Sequence, residues 1–157
     1  MKGKSEVLAV LQEMLKEELG AINQYILHAE MCENWGYKRL SDHTRKESIN
    51  EMQHAEMLIE RMLFLEGLPN VGELPKLKIG KDVKQQFEND LALEKGAVAA
   101  YNGAIATCRK AGDNATEQLL KGILKDEEGH VDFLESQLDL IQQVGLENYL
   151  AQQIHKE

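Results

Sequence analysis

Proline is nearly missing from this chain. Pro69 and Pro75 are the only two, and they fall in one window of the 157 residues, so nothing rigid interrupts the segments on either side. With so few breakers, and with Leu, Glu, Lys, Ala and Gln abundant, an all-α chain is predicted. Cysteine is equally scarce. Cys32 and Cys108 stand 76 residues apart and neither belongs to a C-x-x-C pair, which argues against thiolate zinc sites and thioredoxin-like redox chemistry. Two cysteines also cannot carry a staple-dependent fold, and both read as small apolar residues near matched helix ends. No apolar run approaches the roughly 18 residues of a membrane span. The opening Met1–Glu6 runs directly into an amphipathic pattern, with no leader-type apolar segment and no cleavage site, so a reduced, cytoplasmic, soluble protein is expected. Basic residues are in the minority, 18 Lys+Arg against 27 Asp+Glu for a net charge of −9. That disfavours nucleic acid and acidic membranes as partners and favours cations. What is present, 43% apolar and 29% charged residues, is the balance of one globular domain spanning 1–157.

Apolar residues recur at helical spacing from the start, at Leu8, Leu11, Leu15, Leu19, Ile22 and Ile26. Ser5 is the expected cap of this first helix. Helices are predicted over about 5–34, 38–66, 83–111, 114–144 and 146–153, with Gly36, Gly67, Gly112 and Gly145 as stops. Four such long helices must bury their apolar stripes on one another, which predicts a four-helix bundle with a short C-terminal helix. The first and third breaks are short, so each joins an antiparallel hairpin. Residues 67–82 are rich in Gly and Pro and form a connection. Fully stretched at ~3.3 Å per residue this connection reaches ~50 Å, more than the ~42 Å of a 28-residue helix. It is therefore long enough to return along the bundle and start the third helix parallel to the second.

The chain also repeats itself. A shift of 76 residues, without a gap, lays Leu15 on Leu91, Glu18 on Glu94, Gly20 on Gly96, Tyr25 on Tyr101 and Cys32 on Cys108. The same shift lays Gly36 on Gly112, Glu51 on Glu127, His54 on His130 and Leu58 on Leu134. Two related helical hairpins related by a pseudo-two-fold are implied, and any site built from matching residues is a doubled site. The matching polar residues are Glu18, Glu51 and His54 in one half and Glu94, Glu127 and His130 in the other. Each Glu falls on an apolar stripe, Glu51 the least clearly, because Glu47 and Ser48 precede it. Carboxylates facing one core repel and are costly to bury unless something neutralises them. Each Glu-x-x-His pair shares one helix face, and imidazole with several carboxylates suits Fe, Mn or Zn rather than Ca. Four carboxylates balance two divalent cations. A single Glu-x-x-His on a helix says little. Two of them, each 33 residues after a stripe-facing Glu, form a specific pattern, the one used by ferritin-like di-iron carboxylate bundles.

From Met1 to about Ile154 the sequence resembles the bacterioferritins, the haem-containing ferritins of bacteria. The resemblance is carried by Met1-Lys2-Gly3, Ala21-Ile22-Asn23-Gln24-Tyr25, Glu51-Met52 with His54-Ala55, and Leu63 through Asn70. Asp126-Glu127-Glu128 with His130 and Gly145 through Leu150 extend it. It implies a shell of twenty-four identical subunits built from dimers, each subunit with a di-iron ferroxidase centre. In that pattern Glu18 and His54 hold one iron, Glu94 and His130 the other, and Glu51 and Glu127 bridge. The implied reaction is oxidation of Fe2+ by O2 or H2O2, with ferric mineral deposited inside. Tyr25, two turns beyond Glu18, is open to three readings: a hydrogen bond to a ligand, a one-electron donor, or plain packing. The resemblance also implies haem b shared between two subunits, with Met52 as axial ligand and Leu19, Ile22, Asn23, Ile26 and Ile49 lining the pocket. Such haem would pass electrons inward for iron release, supplied by a ferredoxin-type reductant.

The chain departs from the family pattern at Arg45, Lys46 and Asn50, where Tyr, His and Asp are usual. Arg45 bears on the haem pocket, either pairing a propionate or disturbing it. Lys46 and Asn50 weaken an extra iron site on the inner surface despite Glu47, which points to iron passing through the di-iron centre. Glu66, Asp132 and Asp139 resemble pore-lining acids, and a solvated helix face explains them nearly as well. His28, His43 and His155 have no stripe-facing carboxylate at ligand spacing and are left out of the metal site. The main alternative is a small di-iron oxidase or peroxidase without storage, although the C-x-x-C module that often accompanies such enzymes is absent. A haem-free storage shell, a DNA-protecting miniferritin and a metal-free structural bundle account for fewer of these residues.

Overall fold

The structure is a computed structural model and describes residues 1–156. Five helices follow in chain order: α1 Ser5–Trp35, α2 Lys38–Phe64, α3 Val83–Ala111, α4 Asn114–Val144 and α5 Leu146–Ala151. There are no strands among the described residues. The four long helices form the expected bundle. α1 pairs with α2, α3 pairs with α4, and α1 also lies along α3. Cross-helix contacts fix the directions. Lys4 reaches Ala111, Tyr101 reaches Glu18, Tyr25 reaches Glu94 and Cys32 reaches Gln86, so α1 and α3 run antiparallel. Since α1 and α2 form a hairpin, α2 and α3 run parallel, and the 65–82 connection returns along the bundle as its length allowed.

The helix ends follow local chemistry. Gly36 and Gly112, which the 76-residue shift superposes, both adopt left-handed backbone (φ 89° and 77°) and end α1 and α3. In each case the next residue's N–H donates to the carbonyl five residues earlier. α2 differs from expectation. It ends at Phe64, and the left-handed residue is Glu66 (φ 65°), not Gly67. Gly67 is needed for another reason, since a Cβ there would lie 2.6 Å from Leu8 Cδ2. Ser5 does not cap α1. It is the first helical residue, the cap position is Lys4, and no side chain accepts there. The last helix is two residues shorter than predicted. α4 is capped by Asp113, whose carboxylate accepts from Thr116 N–H (3.0 Å), Thr116 Oγ1 (2.7 Å) and Arg61 Nη2 (3.2 Å).

The apolar core comes in two pieces. One gathers Val7, Leu11, Leu15, Leu58, Met62, Ile105, Leu120 and Ile123. The other gathers Cys32, Leu40, Phe87, Leu134, Ile141 and Tyr149. Between them, on all four helices, lie buried polar residues: Glu18, Gln24 and His28 on α1, Ser48, Glu51 and His54 on α2, Asp90 and Glu94 on α3, and Glu127 on α4. The connection is strapped to this layer. Lys78 N–H donates to Gln24 Oε1 and Gly80 N–H to His28 Nε2. Gln24 and His28 in turn both meet Asp90 Oδ1, at 2.8 and 3.0 Å. The donation from Gly80 leaves the His28 proton on Nδ1, facing Asp90.

Two outcomes are expected. Asp113→Ala removes three hydrogen bonds at the start of α4 and lowers unfolding free energy by about 1–2 kcal/mol, measured by urea denaturation. Burial pushes the Cys32 thiol up to about 12 and the Cys108 thiol up to about 11. At pH 8 neither is ionised, so a thiol-specific reagent labels neither in the folded protein and both in denaturant. Rapid labelling without denaturant would contradict this.

Candidate metal centre

Periodicity brings the site together. Glu18, Glu51, Glu94 and Glu127 each sit one or two turns from the core leucines and isoleucines of their own helix, so packing those neighbours turns every carboxylate inward. All four are buried, with exposures of 2%, 2%, 0% and 0%. His54 and His130 follow Glu51 and Glu127 by three residues and project from the same faces. Their rings lie 6.4 Å apart, centroid to centroid.

The six residues form two overlapping groups. Glu18, Glu51, His54 and Glu127 offer ligand atoms within 4.8 Å of one another, and so do Glu51, Glu94, Glu127 and His130. Glu51 and Glu127 belong to both. His54 Nδ1 lies 2.9 Å from Glu127 Oε1, 3.3 Å from Glu51 Oε1 and 3.6 Å from Glu18 Oε2. His130 Nδ1 lies 3.3 Å from Glu127 Oε2 and 3.4 Å from both Glu51 Oε1 and Glu94 Oε1. The cluster is compatible with a di-iron site. Five of its buried atoms, Glu18 Oε2, Glu51 Oε1, Glu94 Oε2, Glu127 Oε2 and His130 Nδ1, have no hydrogen-bond partner. Atoms of that kind are costly when buried and convergent ones are what a cation satisfies.

Four carboxylates packed this closely shift one another's titration. Burial pushes the Glu18, Glu51 and Glu94 carboxyls above their ordinary range, and neighbouring carboxylates add to this at Glu51 and Glu18. Burial acts the same way on Glu127, but the polar groups of Glu94, His130 and His54 set against it outweigh burial and hold this carboxylate low. Burial alone would lower both histidines; the glutamates packed around them raise them instead.

Tyr25 does make a hydrogen bond to the cluster, but across the bundle. Its hydroxyl donates to Glu94 Oε1, while Tyr101 donates to Glu18 Oε1 at 2.5 Å. Each half's tyrosine serves the other half's glutamate. Burial and the adjacent carboxylates raise both phenols, so both stay protonated and donate. Tyr101 was not singled out from the sequence, although the repeat that pairs it with Tyr25 was the available signal. Asp126 and Glu47, which hold the outer nitrogens of His54 and His130 at 2.8 Å, were also missed as partners, because spacing on one helix does not report a neighbour on another. Met52 lies outside the cluster, 44% exposed beside exposed Ile49 and Ile26, with Leu19 and Ile22 half-buried and Asn23 exposed. Arg45 pairs with Glu30 at 2.6 Å. Glu66, Asp132 and Asp139 are exposed. His43 stacks on Phe133 and His155 is exposed.

A parallel-crossover bundle with a doubled carboxylate–histidine cluster in its core defines a ferritin-like protein, and residues 8–144 match the model of the ferritin-like domain. The bacterioferritin of Mycolicibacterium paratuberculosis is 48% identical over 97% of this chain and 96% of its own length. Those of Brucella melitensis and Rhodobacter capsulatus are 48% and 41% identical, each over 95% of this chain and 92% of theirs. The chain belongs to the bacterioferritin family. No helix among the described residues is long and apolar enough to cross a membrane.

If the polar layer exists to hold metal, it destabilises the metal-free fold. Glu51→Leu removes the central carboxylate that both histidines face and raises the stability of the metal-free protein by about 1–3 kcal/mol. The same variant loses the stabilisation that Zn2+ gives the native chain. Thermal unfolding with and without Zn2+ reads both effects, and a Glu51→Leu protein less stable than metal-free native would contradict them.

Proposed function

We propose that this chain is the subunit of an iron-storing shell whose internal cluster oxidises Fe2+ to Fe3+. The observation that carries this is the set of five buried, unpartnered ligand atoms converging from four helices. Glu18 and His54 would hold one iron and Glu94 and His130 the other, with Glu51 and Glu127 serving both; the two overlapping groups that share Glu51 and Glu127 support the assignment. Iron bound there supplies one-electron redox chemistry, two Fe2+ giving one electron each to one H2O2, which with two protons leaves as water; O2 is the other oxidant. The residues do the rest. The carboxylates offset the ions' charge, and Tyr25 and Tyr101 fix the terminal glutamates by donating to one oxygen and leaving the other free. The dry layers on either side keep bulk water from the site.

Ferric product collects as mineral within a homo-oligomer, a shell of twenty-four subunits built from dimers and working in the cytoplasm. Haem b belongs to the same reading. Met52 is 44% exposed beside the exposed Ile49 and Ile26, a setting that would suit a haem held between two copies by two thioethers. That ligation suits electron transfer, with a ferredoxin-type reductant as the source for iron release.

The test is aerobic addition of about 100 Fe2+ per chain, an amount set well above two-site stoichiometry, followed by size exclusion with protein, haem and iron absorbance read together. Iron far beyond two per chain should co-elute with a very large particle carrying about one haem per two chains. A monomer or dimer with two irons at most would instead support a small di-iron oxidase or peroxidase without storage.

A further inference from the structure

A histidine that gives one ring nitrogen to a metal is oriented by what its other nitrogen holds, and that partner also sets which nitrogen carries the proton. Both histidines of the cluster have such a partner. His54 turns Nδ1 inward and Nε2 to Asp126 Oδ2, at 2.8 Å. His130 turns Nδ1 inward and Nε2 to Glu47 Oε2, also at 2.8 Å.

These two carboxylates break the internal repeat. Every inward ligand of one half maps onto its counterpart by the 76-residue shift. Asp126 maps onto Asn50, a neutral amide, and Glu47 maps onto Ile123, a core residue. The second half therefore cannot orient its histidine in the way the first half does. Glu47 lies one turn before Glu51 on α2, close enough in register to face the same layer. Its other carboxylate oxygen lies 3.7 Å from His43 Nε2. Asn50 Oδ1 is buried without a hydrogen-bond partner, so Asn50 takes no part through that oxygen.

We infer that Glu47 is the positioning residue of the His130 half of the centre, doing for His130 what Asp126 does for His54. The two metal positions are thus alike inside and unlike outside. One histidine leans on a half-exposed aspartate, the other on a largely covered glutamate shared with His43. This rests on the metal-centre reading above.

The experiment is titration of the purified full chain with Co2+ alone, followed by visible absorption and calorimetry. The native chain should take two Co2+. Glu47→Gln should weaken one of them about 10–100-fold and leave the other. Asp126→Asn should weaken one to the same degree, and the double variant should weaken both. Adding Asn50→Asp to Glu47→Gln should restore the lost affinity, because the repeat position then carries a carboxylate; a purely structural role for Glu47 predicts no such rescue. If Glu47→Gln does not fold, Glu47→Asp is read in its place, with the same weakening expected. Unchanged affinities, equal weakening of both ions by Glu47→Gln, or no rescue would each overturn the inference while leaving the metal centre standing. A native chain that takes no Co2+ would instead overturn the metal-centre reading, and this inference with it.

Discussion

Four carboxylates forced into one dry layer of a helical bundle repel one another, and the rest of this structure is arranged around that repulsion. Glu18, Glu51, Glu94 and Glu127 cannot all be ionised and buried without compensating charge. Burial and mutual repulsion push the Glu18, Glu51 and Glu94 carboxyls up, the surrounding glutamates raise both histidines, and each tyrosine gives a hydroxyl to one carboxylate. Some oxygens of the layer still lack a partner. The apolar clusters above and below must therefore supply the cohesion that the middle of the bundle lacks. Their fully buried leucines and isoleucines each contribute about 1.5–3 kcal/mol.

The same constraint explains the topology. A doubled ligand set is easiest to build by superposing two hairpins on a pseudo-two-fold, and the matched Gly36 and Gly112 turns show the two hairpins closing in the same way. What joins them has no counterpart in the repeat. The connection lies along α1, and Gly20 is required there because a Cβ would sit 2.5 Å from Pro75 Cγ, whereas its repeat partner Gly96 has open space around it. Gln24, His28 and Asp90 exist in this frame as the buried fastening for the connection. They lie next to the carboxylate layer but outside both of its groups, and what they hold is the connection.

Much of this was legible beforehand, for a physical reason. Helical periodicity and the repeat are both readable in the sequence, and the six inward residues follow them, Glu51 by the repeat more than by its stripe. The helix boundaries also held where a glycine takes left-handed backbone. The end of α2 fell elsewhere, where Glu66 at a positive φ stands in place of Gly67; α1 starts at Ser5 as expected, and only its cap differs, with Lys4 at the cap position in place of Ser5. The cross-bundle pairs were out of reach of such reasoning. Tyr25 lies on the same face of α1 as Glu18, but its hydroxyl finds Glu94 on α3, and His28 has no acid near it on its own helix yet meets Asp90. Which helix lies opposite a given residue is set by packing, and spacing within one segment carries no record of it.

The outside of the bundle bears on the inside. Ile26 on α1 and Ile49, Met52 and Leu63 on α2 all remain exposed. Met52 follows Glu51 directly, so the same turn of α2 sends one side chain into the carboxylate layer and the next, about 100° around the helix, onto the apolar face. Covering that face with a second copy, as the proposed shell requires, would remove apolar area from water without touching the metal layer. Assembly would then stabilise the fold from the opposite side of the helix that the carboxylates weaken. A bundle whose centre is polar would gain by placing its remaining apolar surface between subunits, where burial does not compete with that centre.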